Sequence, residues 1–237
     1  MSAGVVDRRD YLAYIDGLRG VAILLVLLLH VSHQFASSGF HFEIFHQYTE
    51  AGARGVQLFF ILSALTLFNS SNRRFLSEKR PYSMFYLRRF FRIYPLWICV
   101  ILFWALYSHR MFAEVLPSVL FVFGFLRFDG FFELVPGGWS LFVEETFYAL
   151  LPVLFTKIKN LYSAIVLLIS LLLAQAVWSR VASSVAILHS NQYDFFFPLN
   201  HWYAFGLGIT AYFLIKHASF ESIVSSKKKV IILDLLV

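Results

Sequence analysis

Apolar residues in this chain fall in long runs separated by short polar and basic stretches, and most runs have the length of a membrane-crossing helix rather than a strand. After a polar lead from Met1 to Tyr14, the first run extends from about Leu18 to Phe35. Gly55 to Leu67 forms the core of a second, lengthened at both ends to reach the roughly 20 residues that a bilayer needs. Ile93 to Tyr107 is a third, with Pro95 in its first turns, and Trp139 to Phe155, Leu161 to Trp178 and Phe195 to Ile215 follow. Val115 to Leu126 is apolar but short, bounded by Pro117 and Gly124. The pattern predicts an all-α fold. It is a polytopic transmembrane helical bundle of six to seven spans, in a single membrane-embedded domain over residues 1–237. Val230 to Val237 reads as the opening of a further span, so the domain is expected to be incomplete at its C-terminus.

Composition removes the soluble alternatives. Of 237 residues, 59% are hydrophobic and 14% charged, with a mean hydropathy of +0.69. An ordinary soluble domain carries about 25% charged residues, so this chain has too little polar surface to cover a soluble core. Its 28 Phe, 12 Tyr and 5 Trp suit the belts at membrane–water interfaces. The formal net charge is +6. The basic residues lie in short connections between apolar runs, where the positive-inside rule accounts for them, and nucleic-acid binding drops out. The most basic stretch holds Arg73, Arg74, Lys79, Arg80, Arg88, Arg89 and Arg92 against Glu78 alone. It is expected to face the cytoplasm, with the N-terminus on the same side and the lipid bilayer of an inner or plasma membrane as the location.

Charge also bears on the short run. A full crossing by Val115 to Leu126 would leave Lys157, Lys159 and the basic connector from Lys216 to Lys229 outside. A re-entrant or dipping segment returns both to the cytoplasm, which the positive-inside rule prefers. The loop after the first run, with Gly39, His41, Glu43, His46 and Glu50, has Arg54 as its only basic residue. The single cysteine, Cys99, excludes an internal disulfide and reads as a small core side chain. The first run carries Arg19 and His30 and lacks a small-residue cleavage site, so it reads as a retained span.

Candidate chemistry begins on that span. Arg19 and His30 are eleven residues apart, which on a helix is about 16 Å of rise and roughly 20° beyond three turns. They share a face, with Asp16 and His33 one turn outside them on a neighbouring strip. A histidine in an apolar helix can be a packed, hydrogen-bonded core residue. Ionisable groups at membrane depth are costly and mark functional sites, and a proton or ion relay has the same look. A second group is Arg88, Arg89 and Arg92 at the start of the third span. They are either an inside-facing anchor or a clamp for a phosphorylated ligand such as acyl-CoA, since guanidinium forks match phosphate geometry. Glu144 and Glu145 form a third, within an apolar helix. Adjacent helical positions point about 100° apart, so the two are expected to serve different partners, with Glu144 facing Tyr148. An interfacial helix whose acids meet headgroups or water is the alternative. Gly52, Gly55, Ser63 and Ala64 read as sites of close helix approach, as do the small residues after His201. No metal is expected, because the histidines are scattered and no HExxH or CxxC spacing occurs.

Four stretches in order resemble the motifs of the acyltransferase 3 family, multi-span membrane acyltransferases that modify sugars and other cell-surface acceptors. YIDGLRGVAILLVLLLH is similar to its opening motif, with an arginine, ten intervening residues and a histidine. GVQLFFILSALTL resembles its second-helix motif, with Ala64 where a glycine is common. FYLRRFFRIYPLW resembles its arginine-rich motif and GGWSLFVEETFYALLP its tryptophan–glutamate motif. The family has about ten spans, so the resemblance implies that this chain lacks the last few. It also implies an O-acyltransferase moving an acyl group, most often acetyl, from acyl-CoA to a carbohydrate hydroxyl. His30 would be central and Arg19 required; Arg88, Arg89 and Arg92 would hold donor phosphates; Glu144 or Glu145 would orient His30 or the acceptor, with Glu144 favoured by its phase. Imidazole suits the removal of a hydroxyl proton near neutral pH, and whether His30 acts only as a base or also carries the acyl group stays open. The competing readings are a proton- or ion-coupled transporter using the Asp16/Arg19/His30 face, and an inactive truncated product.

Overall fold

The computed structural model describes residues 8–37, 52, 54–109, 112–126, 135, 137–190 and 193–217. The loop containing Gly39, His41, Glu43, His46 and Glu50, and the apolar Val230–Val237, lie outside them. The described residues fold into helices: α1 (Arg8–Ser37), α2 (Arg54–Ser77), α3 (Pro81–Tyr107), α4 (Phe112–Val119), α5 (Phe123–Leu126), α6 (Gly138–Lys157), α7 (Leu161–Ser184), α8 (Ala186–Ser190) and α9 (Tyr193–Phe196). A 3-10 turn at Pro198–Asn200 leads into α10, residues 202–217. Among the described residues three stretches are long and apolar enough to cross a membrane: Tyr14–Ser32 in α1, then α3 and α7.

Local chemistry explains where helices begin and end. Pro81 opens α3, where its fixed φ and missing N–H suit a first helical turn. The helix therefore starts twelve residues before the expected span, and Pro95 lies inside it rather than near its start. Arg74 in the last turn of α2 faces the negative end of the helix dipole, and α2 continues well past Leu67 into the basic stretch. Only Glu78 to Arg80 separate α2 from α3. Asn160 and Ser163 cap α7 reciprocally: the Ser163 N–H donates to Asn160 Oδ1 at 2.9 Å, and the Asn160 N–H donates to Ser163 Oγ at 3.2 Å. The expected span from Phe195 to Ile215 is broken near its start, because Pro198 opens a 3-10 turn and the regular helix begins only at residue 202. The short apolar run is two helices of 8 and 4 residues, each too short to cross.

The helices divide between two compact units. One draws on Met1–Leu67, Asn160–Ala164 and Ala204–Val237, the other on Phe68–Lys159 and Ile165–Tyr203. In the first, glycines bring backbones together. A Cβ on Gly55 would stand 2.6 Å from the Ala22 carbonyl oxygen of α1, and one on Gly208 of α10 would overlap the Ile61 carbonyl oxygen of α2. Phe60 and Phe205 stack beside that contact with centroids 4.7 Å apart. Small residues thus permit packing where the hydrophobic effect between lipid-solvated helices is weak.

In the second unit the core is aromatic. Trp97, Ile101, Val115, Phe121, Phe123, Val135 and Phe142 form one buried cluster. Trp97 donates from Nε1 to the Ser118 carbonyl at 2.9 Å and stacks on Phe121 at 5.0 Å. Phe121 has φ +52°, a left-handed conformation costly for a bulky side chain, and this turn folds α5 back from α4. Cys99 is exposed, which corrects its expected core position. It shares a face of α3 with Leu96, Phe103 and Leu106, all exposed apolar side chains of a membrane-length helix.

The glycine contacts generate a test. Gly208→Ala must push α10 from α2 and is expected to destabilise the protein by about 1–3 kcal/mol. Gly17→Ala, with nothing within 4 Å of its Cβ, should be neutral or stabilise the helix by up to about 1 kcal/mol. Thermal unfolding of the purified variants in detergent measures both.

Candidate active site

The first group of polar residues lies on α1. Arg19 donates from Nη2 to Thr66 Oγ1 of α2 at 2.8 Å and from Nη1 to Asp16 Oδ1 at 3.4 Å. Thr66 passes its own proton back along α2, to the Leu62 carbonyl at 2.8 Å. The Asp16 side chain is 72% exposed, so that ion pair is loose and contributes at most about 1 kcal/mol. Arg19 Nε is buried and makes no hydrogen bond among the described residues.

His30 lies farther along the same face, separated from Arg19 by about 16 Å of helix. Its ring is exposed, and Nδ1 lies 2.8 Å from the Val26 carbonyl oxygen. A carbonyl only accepts, so Nδ1 carries the proton and donates it there. In the neutral ring the lone pair is then on Nε2.

The second group joins α3 to α6. Tyr86 donates its hydroxyl to the Ala149 carbonyl at 2.9 Å and ties the two helices. The Arg89 guanidinium then lies over two rings, 5.1 Å from the Tyr148 centroid and 5.8 Å from that of Phe85. Tyr148 donates its hydroxyl to Glu144 Oε1, so the i,i+4 pairing expected along α6 is present. Glu144 is buried. Glu145 is half-buried, and its Oε1 makes no hydrogen bond among the described residues. Glu144 is thus bonded to Tyr148, the ring beneath Arg89.

The three arginines at the start of the third span do not present themselves alike. Arg88 forms a two-pronged fork with Glu78, Nη1 to Oε1 at 2.8 Å and Nη2 to Oε2 at 3.1 Å. Arg89 is turned toward Tyr148, and Arg92 is exposed. His201 donates from Nε2 to the Phe195 carbonyl at 2.7 Å, and its ring packs on Trp139 at 4.9 Å. Among the described residues no group of three or more His, Cys, Asp or Glu is placed to hold a metal ion.

Apart from Glu78, Phe195 and His201, these residues sit in the four stretches whose order suggested a family. The family model for an acyltransferase domain, acyltransferase 3, matches residues 12–234. The chain belongs to the acyltransferase 3 family. A similar protein is the peptidoglycan O-acetyltransferase OatA of Listeria monocytogenes serovar 1/2a, 27% identical over 195 residues that make up 73% of this chain and 29% of that protein. The chain thus spans less than a third of that relative's length. No solved structure matches it.

For this acyltransferase 3 chain, the residue that sequence reading passed over is Thr66. Its signal was available: a hydroxyl inside the apolar FFILSALTLF, where only an intramembrane polar partner gives it a purpose beyond its own backbone. Glu78 was noted as an isolated acid, and its capture of Arg88 follows from its place in the short link before α3.

Tyr148→Phe isolates one link. The substitution keeps the ring under Arg89 but removes the hydroxyl that serves the buried Glu144, and is expected to cost about 1–3 kcal/mol. A lowered thermal unfolding midpoint in detergent, compared with wild type and with Tyr148→Phe/Glu144→Gln, reads that loss.

Proposed function

We propose that this chain is a membrane O-acyltransferase that moves an acyl group, acetyl in the first instance, from acyl-CoA to a carbohydrate hydroxyl at or across the membrane. The single observation that carries the reading is the tautomer of His30. With Nδ1–H committed to Val26, Nε2 of the neutral ring is a base on the helix face that also carries Arg19. Family membership favours transfer over a proton or ion relay. The name of the Listeria relative, a peptidoglycan O-acetyltransferase, supports an acetyl donor and a polysaccharide acceptor.

On this reading Nε2 of His30 takes the proton of the acceptor hydroxyl as its oxygen attacks the thioester carbonyl carbon. The tetrahedral intermediate collapses with loss of the CoA thiolate, which recovers the proton. Arg19 supplies positive charge on the same helix face. Arg92, being exposed, meets the donor's phosphates first; Arg89 adds charge beside it, and Arg88 positions that end of α3 through Glu78. Glu144 or Glu145 orients His30 or the acceptor, and Glu144 is favoured by its bond to Tyr148. The chain works as one membrane-embedded acyltransferase domain, with α2, α6 and α10 joining the three apolar helices as spans and α4–α5 dipping. The N-terminus is cytoplasmic by the distribution of basic residues.

Transfer of labelled acetyl from acetyl-CoA in membranes holding the full chain tests this. His30→Ala should lower the rate by about 100-fold or more; retention of transfer in that variant removes the catalytic assignment. A separate measurement addresses the donor site. Arg92→Ala should weaken acetyl-CoA binding by the purified protein roughly tenfold, in line with one lost charge-assisted contact, and leave weak acetate binding unchanged.

A further inference from the structure

We propose that Thr66 is the residue that positions Arg19 for acyl transfer, an inference that rests on the transferase reading above. The Arg19 guanidinium has two side-chain partners among the described residues. Asp16 is three positions back on the same helix, at 3.4 Å, with an exposed side chain. A contact of that length and exposure does not fix a long, rotamer-rich side chain. Thr66 is on a different helix, at 2.8 Å, and part-buried. It alone ties Arg19 across to α2.

The polarity of the contact is set by Thr66's own hydrogen bond. Its hydroxyl proton goes to the Leu62 carbonyl, 2.8 Å away, with the Ser63 carbonyl at 3.1 Å as the alternative. Both possible acceptors lie on the backbone of α2, so what Thr66 turns toward Arg19 is lone pair. The chain of donors runs one way, from guanidinium to hydroxyl to carbonyl. A threonine is also held by its β-branched χ1 preference, so the acceptor is stiff.

A neutral partner has a consequence that a carboxylate would not. It fixes the direction of the guanidinium and leaves its full charge in place. A buried Asp or Glu at position 66 would fix Arg19 equally well and cancel it. Arg19 has five N–H donors, of which Thr66 and Asp16 occupy one each in the contacts above, and Nε is buried with no hydrogen bond among the described residues. The side chain is thus aimed and still cationic, the state required of a group that meets an anionic donor or a developing oxyanion.

Four proteins test it, each the full chain purified in detergent: wild type, Thr66→Val, Arg19→Ala and the double variant, with Thr66→Ser as rescue. Valine keeps the shape and removes the acceptor. With labelled acetyl-CoA, Thr66→Val should lower transfer about tenfold, on whichever parameter, kcat or the donor's KM, Arg19→Ala moves. Thr66→Ser should recover most of the loss. The double variant should be no slower than Arg19→Ala alone, because the hydroxyl acts only through the guanidinium. Thr66→Val within twofold of wild type, or losses that multiply in the double variant, overturns the proposal. If wild type transfers no acetyl group, the transferase reading falls and takes the catalytic part with it. Thermal unfolding of the same four proteins then judges the tie: non-additive midpoints keep Thr66 as the anchor of Arg19, and additive ones remove it.

Discussion

Charge inside apolar helices must be answered by something, and the arrangement of this protein depends on how each answer is made. A guanidinium or carboxylate stripped of water without a partner costs several kcal/mol or more. Arg19 is met by a hydroxyl, Arg88 by a carboxylate, Arg89 by two aromatic faces, and Glu144 by a phenol. The four solutions differ in what they leave behind. A carboxylate cancels the cation it holds; a hydroxyl and a ring face hold it without cancelling it. The residues left with charge to offer are therefore Arg19, Arg89 and the exposed Arg92.

Those polar contacts need helices held close, and the chain achieves this by different means in its two units. In one, absent side chains do the work: Gly55 and Gly208 let backbone meet backbone. In the other, rings fill the space, from the Trp97 cluster to Phe68 and Phe75 against Phe155. The same two helices, α1 and α2, approach at Gly55 and are joined by Arg19 and Thr66.

Much of this was legible in the sequence, and the reasons for the misses are physical. Hydropathy located α1, α3 and α7, since a bilayer-length apolar run has few other uses. Helical phase paired Glu144 with Tyr148 because i,i+4 geometry is local. The reading fails at Cys99, where an apolar neighbourhood suggests core although an apolar helix can face lipid on the same pattern. Helix starts were misjudged at α3 and α10 because hydropathy marks where a chain is greasy, and prolines mark where a helix can begin. Thr66 shows in the sequence as a hydroxyl in an apolar run, but its partner does not, being forty-seven positions away with no periodicity to connect them.

The fork between Arg88 and Glu78 alters what the basic stretch presents to its surroundings. Counted along the sequence, that stretch is a dense block of positive charge. Folded, one of its cations is already neutralised at contact distance, on the short link that joins α2 to α3. A phosphate approaching this end of α3 would have to evict a carboxylate to reach Arg88, trading one anion for another with little electrostatic gain. Ions released when a charged ligand docks come from uncommitted cations only. The field here is thus weaker than its composition suggests, and it is carried by exposed cations on either side of Arg88, among them Lys79, Arg80 and Arg92.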